Sequence, residues 1–267
     1  MRILALLALA GCVASEAAPP VAGGGGAAAA AGGPSPDSDT YANCVASTPT
    51  AEGDVCYPTD SPYTLVSRNG TTWVTRYPGI GFDVTPPPST SWTAYNSGSV
   101  TAVGGVRRST IPGDTDGSLV GEYRTQPATP FYVDAVFAVP VIGSAGGAGV
   151  GLGGTDATGV AQIWLSDTDG TRAMIAASRW SAHTTFTATD AQAHGYATQL
   201  IGLRYVDNGT NRQFYTLSPV DGALNKLGGD YGRTVTITAT SIGWWGSTAD
   251  ADLPRSANLV HWATGTP

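Results

Sequence analysis

The sequence predicts an all-β protein built from two stacked antiparallel sheets. Gly and Pro are abundant, at 36 and 18 of 267 residues, which is typical of a chain with many turns. Short β-prone runs recur and are separated by turn dipeptides such as Asn208-Gly209 and Asp221-Gly222. No stretch has the spacing of an amphipathic helix. About a dozen short strands after residue 86 are typical of a sandwich of jelly-roll type.

The clearest predicted strand covers residues 131–139. Apolar side chains alternate there from Phe131 to Val139, and Asp134 lies on the opposite face. The other predicted strands are residues 160–165, 172–180, 200–206, 212–217, 234–242 and 258–263.

Composition divides the chain into three parts. Residues 1–40 contain a short apolar run and then a Gly/Ala/Pro-rich tether, which has too little apolar surface to offset its ordering entropy. Residues 41–85 form a small β-hairpin module. The run Pro86-Pro87-Pro88 marks the boundary to the sandwich domain, residues 86–267, because proline cannot donate to a sheet.

The module contains two β-prone runs, residues 63–68 and 71–77, joined by Asn69-Gly70, a pair that suits a two-residue type I′ turn. Trp73 is expected to pack on the adjacent domain. Residues 53–60 and 69–74 (Asn-Gly-Thr-Thr-Trp-Val) resemble a short module of bacteriophage tail-fibre and other virion proteins. The resemblance implies a structural role and supplies no catalytic residue.

The N-terminus has two interpretations. Arg2 precedes an apolar run, and Leu9-Ala10-Gly11-Cys12 resembles the lipobox of bacterial lipoproteins, in which the cysteine is lipidated. The alternative is a small apolar helix that packs against a partner in an assembly. The run is shorter than the ~18–20 residues that a transmembrane helix needs. Cys44 and Cys56 flank eleven residues and form either a disulfide or two buried thiols, and export favours the disulfide.

Charge excludes one class of partner. Acidic residues outnumber Lys and Arg by 20 to 13, which gives a net charge of −7. Nucleic acid is therefore not an expected partner, because it requires clustered cations. The histidines His183, His194 and His261 are far apart and lack metal-ligand spacing, so neither a metal nor a cofactor is predicted.

Four segments of the last domain resemble the concanavalin A-like lectin/glucanase sandwiches of phage tail and other virion proteins. They are residues 91–99, 126–137, 200–222 and 241–247. The resemblance implies a jelly-roll fold but not a particular function, because this architecture hosts lectins, hydrolases and structural modules.

Hydrolases on such a fold use paired carboxylates on either side of the scissile bond. Glu122 has Val120 and Arg124 as its same-face neighbours, and Asp134 has no acidic neighbour at alternate positions. We therefore expect that the protein is not an enzyme, with glycan hydrolysis as a disfavoured alternative.

Carbohydrate binding depends on aromatic rings that stack under the apolar faces of sugars. Trp164 and Trp262 belong to the wider set of aromatic candidates. Trp244 and Trp245 are adjacent, so a strand would point one into the core and expose the other. The residues selected as carbohydrate contacts are Trp180, Trp244, Trp245, Tyr205 and Tyr215.

The leading functional hypothesis is a virion structural protein of tail-fibre or decoration type. Its partners would be host-surface glycan or neighbouring subunits, in a homo-oligomer such as a trimer. The alternative is a bacterial cell-surface or outer-membrane lipoprotein, anchored through Cys12, whose sandwich binds polysaccharide.

Overall fold

The computed structural model describes residues 39–95, 99–111, 119–139, 148–156, 159–167, 173–182, 185–194, 199–233, 238–248 and 255–267. These residues are nearly all in strands or the turns between them, and a single short helix, α1 (Tyr41–Ala46), precedes the strands within these ranges. The Asn43 N–H donates to the Thr40 hydroxyl oxygen and thereby caps the helix.

The strands of the module come first. They are β1 (Val55–Cys56), β2 (Thr64–Ser67) and β3 (Trp73–Arg76), which form a small antiparallel sheet in the order β1-β2-β3. The strands that follow are β4 (Thr93–Tyr95), β5 (Ser99–Val103), β6 (Val106–Ile111), β7 (Leu119–Thr125), β8 (Phe131–Ala138), β9 (Ala148–Thr155), β10 (Val160–Asp167), β11 (Ala173–Ala182), β12 (Thr185–His194), β13 (Leu200–Asp207), β14 (Asn211–Leu217), β15 (Leu224–Lys226), β16 (Tyr231–Gly232), β17 (Ser241–Thr248) and β18 (Arg255–Gly265).

Two large antiparallel sheets make the sandwich. Sheet A has the strand order β12-β11-β10-β9-β17-β7-β4. Sheet B has the order β15-β14-β13-β8-β18-β6-β5, and β16 pairs with β14. Neighbours in each sheet often lie far apart in the chain, as do β8 and β18 at the centre of sheet B. The predicted all-β, two-sheet antiparallel sandwich is confirmed.

The main core lies between the sheets. Alternate residues of β8, from Phe131 to Phe137, point into it and are at most 1% exposed, as the sequence pattern predicts. Each such buried apolar side chain contributes about 1.5–3 kcal/mol relative to an exposed one. Strands β9, β11 and β17 of sheet A face β8 across the core, and β13 and β18 lie beside it in sheet B. Their core residues include Leu152, Ile175, Leu203, Ile242, Trp244 and Leu259.

One predicted strand begins later than expected in the described residues. Residues 234–242 were expected to be extended, but residues 238–240 are not in a strand and β17 begins at Ser241. Residues 234–237 lie outside the described residues. β17 lies between β7 and β9 and pairs with both from Ser241 onward.

The module covers part of the outer face of sheet B. Tyr63, Ile80 and Val84 pack there against Val136 and Val260 in a second buried cluster. The Tyr63 hydroxyl donates to the Val260 carbonyl at 2.7 Å. The module and the sandwich thus share a packed apolar interface.

The module's hairpin has a longer turn than predicted. Residues 68–72 connect β2 and β3, so the turn has five residues instead of two. The Asn69 side chain accepts hydrogen bonds from the backbone N–H groups of Thr71 and Thr72. Only Gly70, at φ +72°, takes the left-handed conformation that a type I′ turn requires at both central residues.

A disulfide joins Cys44 of α1 to Cys56 of β1. Leu65 is buried beside it, and Trp73 packs on the same cluster and donates from Nε1 to the Ser47 carbonyl at 2.9 Å. Trp73 therefore packs within its own module. The prediction that it contacts the neighbouring domain is wrong, because the small disulfide core offers a nearer apolar surface.

His261 lies on the outer face of sheet B beneath the module. Its ring meets Phe82 edge to face, and its Nδ1 accepts the Thr85 N–H at 3.0 Å. Burial lowers the pKa of His261 from 6.5 to about 4, although the nearby Asp134 opposes the shift. Protonation at Nδ1 would also remove the acceptor for Thr85.

Stability is expected to depend on the protonation of His261. The unfolded chain binds the proton near pH 6.5 and the folded protein only near pH 4, so stability falls as the pH drops through this window. The full effect amounts to about 3 kcal/mol. Urea unfolding from pH 7 to 4 measures it, with His261→Gln as the non-titrating control. Parallel pH dependences for the two proteins would contradict this assignment.

Candidate functional site

Four of the five predicted carbohydrate contacts are buried. Tyr205 and Trp244 lie between the sheets and are 0% exposed. Trp180 and Trp245, at 2% and 0% exposure, belong to a separate cluster with Tyr95 on the other face of sheet A. Trp244 and Trp245 point to opposite faces as expected, but the prediction that one of them is exposed is wrong, because Trp245 is buried among neighbouring side chains of sheet A.

A ring can stack on a sugar only if one of its faces is open. The four buried rings offer no open face, so their geometry does not support a role in binding. Tyr215 is half-buried on the outer face of sheet B, and its hydroxyl donates to Gln213 Oε1 at 3.1 Å. Its binding role stays a prediction. Cys12 lies outside the described residues.

A cavity of about 500 Å³ opens where both sheets end on one side of the sandwich. Its size falls in the range of small-ligand pockets, about 300–1,000 Å³. Sheet A contributes the end of β7 and the start of β17, sheet B contributes the end of β18, and two connecting segments complete the wall. The lining residues are Thr85, Pro86, Pro88, Arg124, Thr125, Gln126, Pro127, Ile242, Trp262, Ala263 and Thr264.

Hydrogen bonds fix residues 85–88, the proline-rich segment that forms one wall of the cavity. The Thr85 N–H donates to His261, and the Thr85 carbonyl accepts the Trp262 N–H at 2.8 Å. Further along, the Pro88 carbonyl accepts Nε1 of Trp92 at 2.8 Å. The segment before β4 is thus tied to β18 at one end and to its own tryptophan at the other, which gives the cavity a preformed wall.

Two arginines stack on Trp92 behind this wall. The guanidinium carbons of Arg107 and Arg124 lie 5.4 and 5.3 Å from the Trp92 ring centroid. The Trp262 ring meets Trp92 edge to face at 5.0 Å between centroids. Both guanidinium groups thus lie within cation–π distance of the Trp92 ring, which is itself packed against Trp262.

Arg107 and Glu122 form a buried ion pair. Arg107 Nε and Nη2 each donate to one Glu122 carboxylate oxygen at 2.5 Å, and the side chains are 8% and 7% exposed. Arg107 also donates to the Ser89 carbonyl at 3.1 Å. The charge of Arg107 is therefore neutralised internally.

Gln126 presents an acceptor without a protein partner. Its Oε1 is buried and accepts no hydrogen bond within the described part of the chain. A buried acceptor left unpaired costs about 1–3 kcal/mol, so a ligand hydroxyl would be a favourable partner once the Gln126 side chain turns toward the cavity. The cavity offers the half-buried rings of Pro86 and Pro88, the guanidinium of Arg124 and the amide of Gln126, whereas the Trp262 ring is 3% exposed and belongs to the main core.

Sequence reasoning identified Trp262 as one aromatic candidate but missed Trp92, Arg124 and Gln126. Trp92 lies in 91–99 and Gln126 in 126–137, two of the segments that carry the family resemblance. Their position in these segments was the signal in the sequence that could have identified them. The convergence of the three depends on pairing between distant strands, which no local pattern shows.

The described residues contain no group of three His, Cys, Asp or Glu side chains that could hold a metal ion. No helix in the described ranges is long and apolar enough to span a membrane. Asp134 is held by Arg204 Nε and Nη2 at 2.5 and 2.6 Å on the outer face of sheet B.

Comparisons with known proteins show a shared fold. No protein-family model and no curated protein matches the chain. Among solved structures, a GH43 protein of Bacillus licheniformis, BlXynB, matches 68% of this chain and 38% of its own length, with a TM-score of 0.51 and 14% identity. The match thus spans well under half of that protein, and at this identity it shows the fold alone.

Two lower-scoring structures are similar over most of their own length. The CBM2 module of an evolved Dit from Lactobacillus casei BL23 phage J-1 has a TM-score of 0.42 and 13% identity, over 66% of this chain and 88% of that one. A legume lectin-like domain from Entamoeba histolytica has a TM-score of 0.42 and 11% identity, over 66% and 90%.

The match to the GH43 protein corrects the expectation about catalysis. The prediction that the protein is not an enzyme is wrong as a conclusion, because a GH43 protein shares its fold. The lack of paired carboxylates at alternate strand positions was too narrow a criterion. The fold alone does not decide between catalysis and binding.

Proposed function

We propose that the protein binds carbohydrate in the cavity between the ends of the two sheets. The observation that carries the proposal is that the half-buried rings of Pro86 and Pro88 and the polar side chains of Arg124 and Gln126 line one preformed cavity of about 500 Å³. An apolar ring beside a few fixed polar groups is the usual composition of a sugar site. The lectin and carbohydrate-binding module among the similar structures agree with this proposal but do not carry it.

The rings and polar groups have complementary roles in this proposal. The rings of Pro86 and Pro88 would face the C–H surface of a sugar. The Gln126 amide would turn toward the sugar and accept a hydroxyl, and Arg124 would donate. Because hydrogen bonds to β18 already fix the wall at Thr85, binding would require little ordering of the backbone.

A variant that fills the cavity tests the proposal. Thr264 is exposed and lines the cavity, so Thr264→Trp is expected to block it without disturbing the core. Binding to a panel of neutral and acidic polysaccharides, measured by affinity electrophoresis and calorimetry, should weaken about tenfold or more. The melting temperature should stay unchanged.

The matched control is Thr101→Trp, the same substitution at an exposed residue of β5, which should bind as the wild type does. Tyr215→Ala tests the competing face of sheet B. Binding lost in Tyr215→Ala and retained in Thr264→Trp would contradict the cavity as the site. The same samples are assayed for release of reducing ends, because the fold also occurs in hydrolases.

For its biological setting, we propose a virion component of tail-fibre or decoration type, a homo-oligomer that contacts host-surface glycan. The resemblance of residues 53–60 and 69–74 to a fibre module supports this setting. The mass of the mature N-terminus from the native source tests it. A chain that begins at residue 1 or 2 in purified particles is expected, whereas a chain that begins at a diacylated Cys12 would show the surface-lipoprotein alternative.

A further inference from the structure

The charge of the cavity differs from that of the whole chain. Acidic residues outnumber basic ones by 20 to 13 in the sequence. Among the described residues that line the cavity, the charged residue is Arg124, and none is acidic. A site for a neutral sugar does not need a positive charge, so the presence of Arg124 in the cavity indicates an anionic ligand.

Arg124 has no ion-pair partner among the described residues. Its neighbour on the Trp92 ring, Arg107, is paired with Glu122 through two hydrogen bonds. Glu122 is buried behind Trp92, with both carboxylate oxygens bound to Arg107, and is therefore committed to that pair.

We propose that the cavity selects a carboxylate-bearing sugar, a uronic acid unit, and that Arg124 binds the carboxylate. The inference rests on the proposed carbohydrate binding and names the ligand class of the same site. The Arg124 guanidinium lies over the Trp92 ring at 5.3 Å and lines the cavity, and its planar fork matches a carboxylate through two parallel hydrogen bonds. A uronic acid also carries hydroxyls for the Gln126 amide and a C–H face for the rings of Pro86 and Pro88.

Because Arg124 is half-buried, it should distinguish acidic from neutral sugars more strongly than an exposed arginine would. A cation that is partly removed from water and next to an aromatic ring attracts an anion more strongly than an exposed cation does. Removing the charge of the sugar while keeping its shape should therefore weaken binding. It should also reduce the sensitivity of binding to salt, since screening acts on the charge interaction.

The test uses pairs of probes that differ only in charge. Oligomers of galacturonate, glucuronate and mannuronate are compared with their methyl esters by calorimetry on the full chain. The wild type should bind at least one acidic oligomer about tenfold more tightly than its ester. Arg124→Gln should bind acid and ester equally, and Arg124→Lys should keep part of the preference. Melting temperatures confirm that the variants are folded.

The outcomes separate this inference from the proposed function. The inference is overturned if three results coincide: neutral glycans bind, Thr264→Trp blocks that binding, and no acidic oligomer is preferred over its ester. The cavity would then bind sugar without selecting for charge. An acid preference that survives in Arg124→Gln would also overturn it. If no glycan binds, acidic or neutral, the proposed function itself fails.

Discussion

Replacing Glu122 by leucine is expected to lower the free energy of unfolding by about 3–5 kcal/mol. The substitution leaves the Arg107 guanidinium without its carboxylate, although the arginine side chain is only 8% exposed. Stacking on Trp92 and the hydrogen bond to the Ser89 carbonyl do not neutralise the charge. Urea unfolding of the two proteins at neutral pH measures the difference.

The double variant Arg107→Met/Glu122→Leu is the control for this prediction. Replacing both partners by apolar residues of similar volume removes the unpaired charge, so most of the lost stability should return. Comparing the single and double variants separates the energy of the ion pair from the effect of the changed packing. A loss below about 1 kcal/mol in Glu122→Leu, the range of a surface ion pair, would show that the pair is not buried as described.

Trp244→Ala should lower the free energy of unfolding by about 3–5 kcal/mol, because it empties a large volume in the core between the sheets. Trp244 is 0% exposed and packs near Phe137, with 6.1 Å between ring centroids. Glycan affinity should not change under conditions in which the variant is folded, since the residue does not line the cavity. Calorimetric unfolding and titration with the best glycan from the panel measure the two properties.

Trp244→Phe keeps an aromatic ring and should lose less stability, which makes it the matched control. If Trp244→Phe instead lowered affinity tenfold with little loss of stability, the ring would be a ligand contact. The interpretation of Trp244 as a core residue would then be wrong.

The fold was predictable because its signals are local. Alternation along residues 131–139 identified the central strand of sheet B, and glycine dipeptides marked turns such as Asn208-Gly209, where Gly209 has φ +91°. Predictions failed where longer-range contacts decide the outcome. β17 begins at Ser241, where its pairing with β7 and β9 starts, and Trp73 turns toward the core around the disulfide.

The candidate site was less predictable than the fold for the same reason. Aromatic residues in strands can serve the core or a ligand, and the sequence does not distinguish them. Trp180 and Trp245 were selected as ligand contacts but are buried by their neighbours on sheet A. Arg124 and Gln126 become neighbours of Trp262 only when both sheets have formed, so no spacing in the sequence indicates the cavity.

The most direct test of the proposed site follows the backbone amide NMR shifts of the isotope-labelled protein while an oligosaccharide that binds to it is added. The largest shifts should occur at Thr85, at residues 124–126 and at residues 262–264, the segments that line the cavity between the sheets. Shifts confined to the outer face of sheet B around Tyr215, or to the cluster around Trp245, would contradict carbohydrate binding in the cavity.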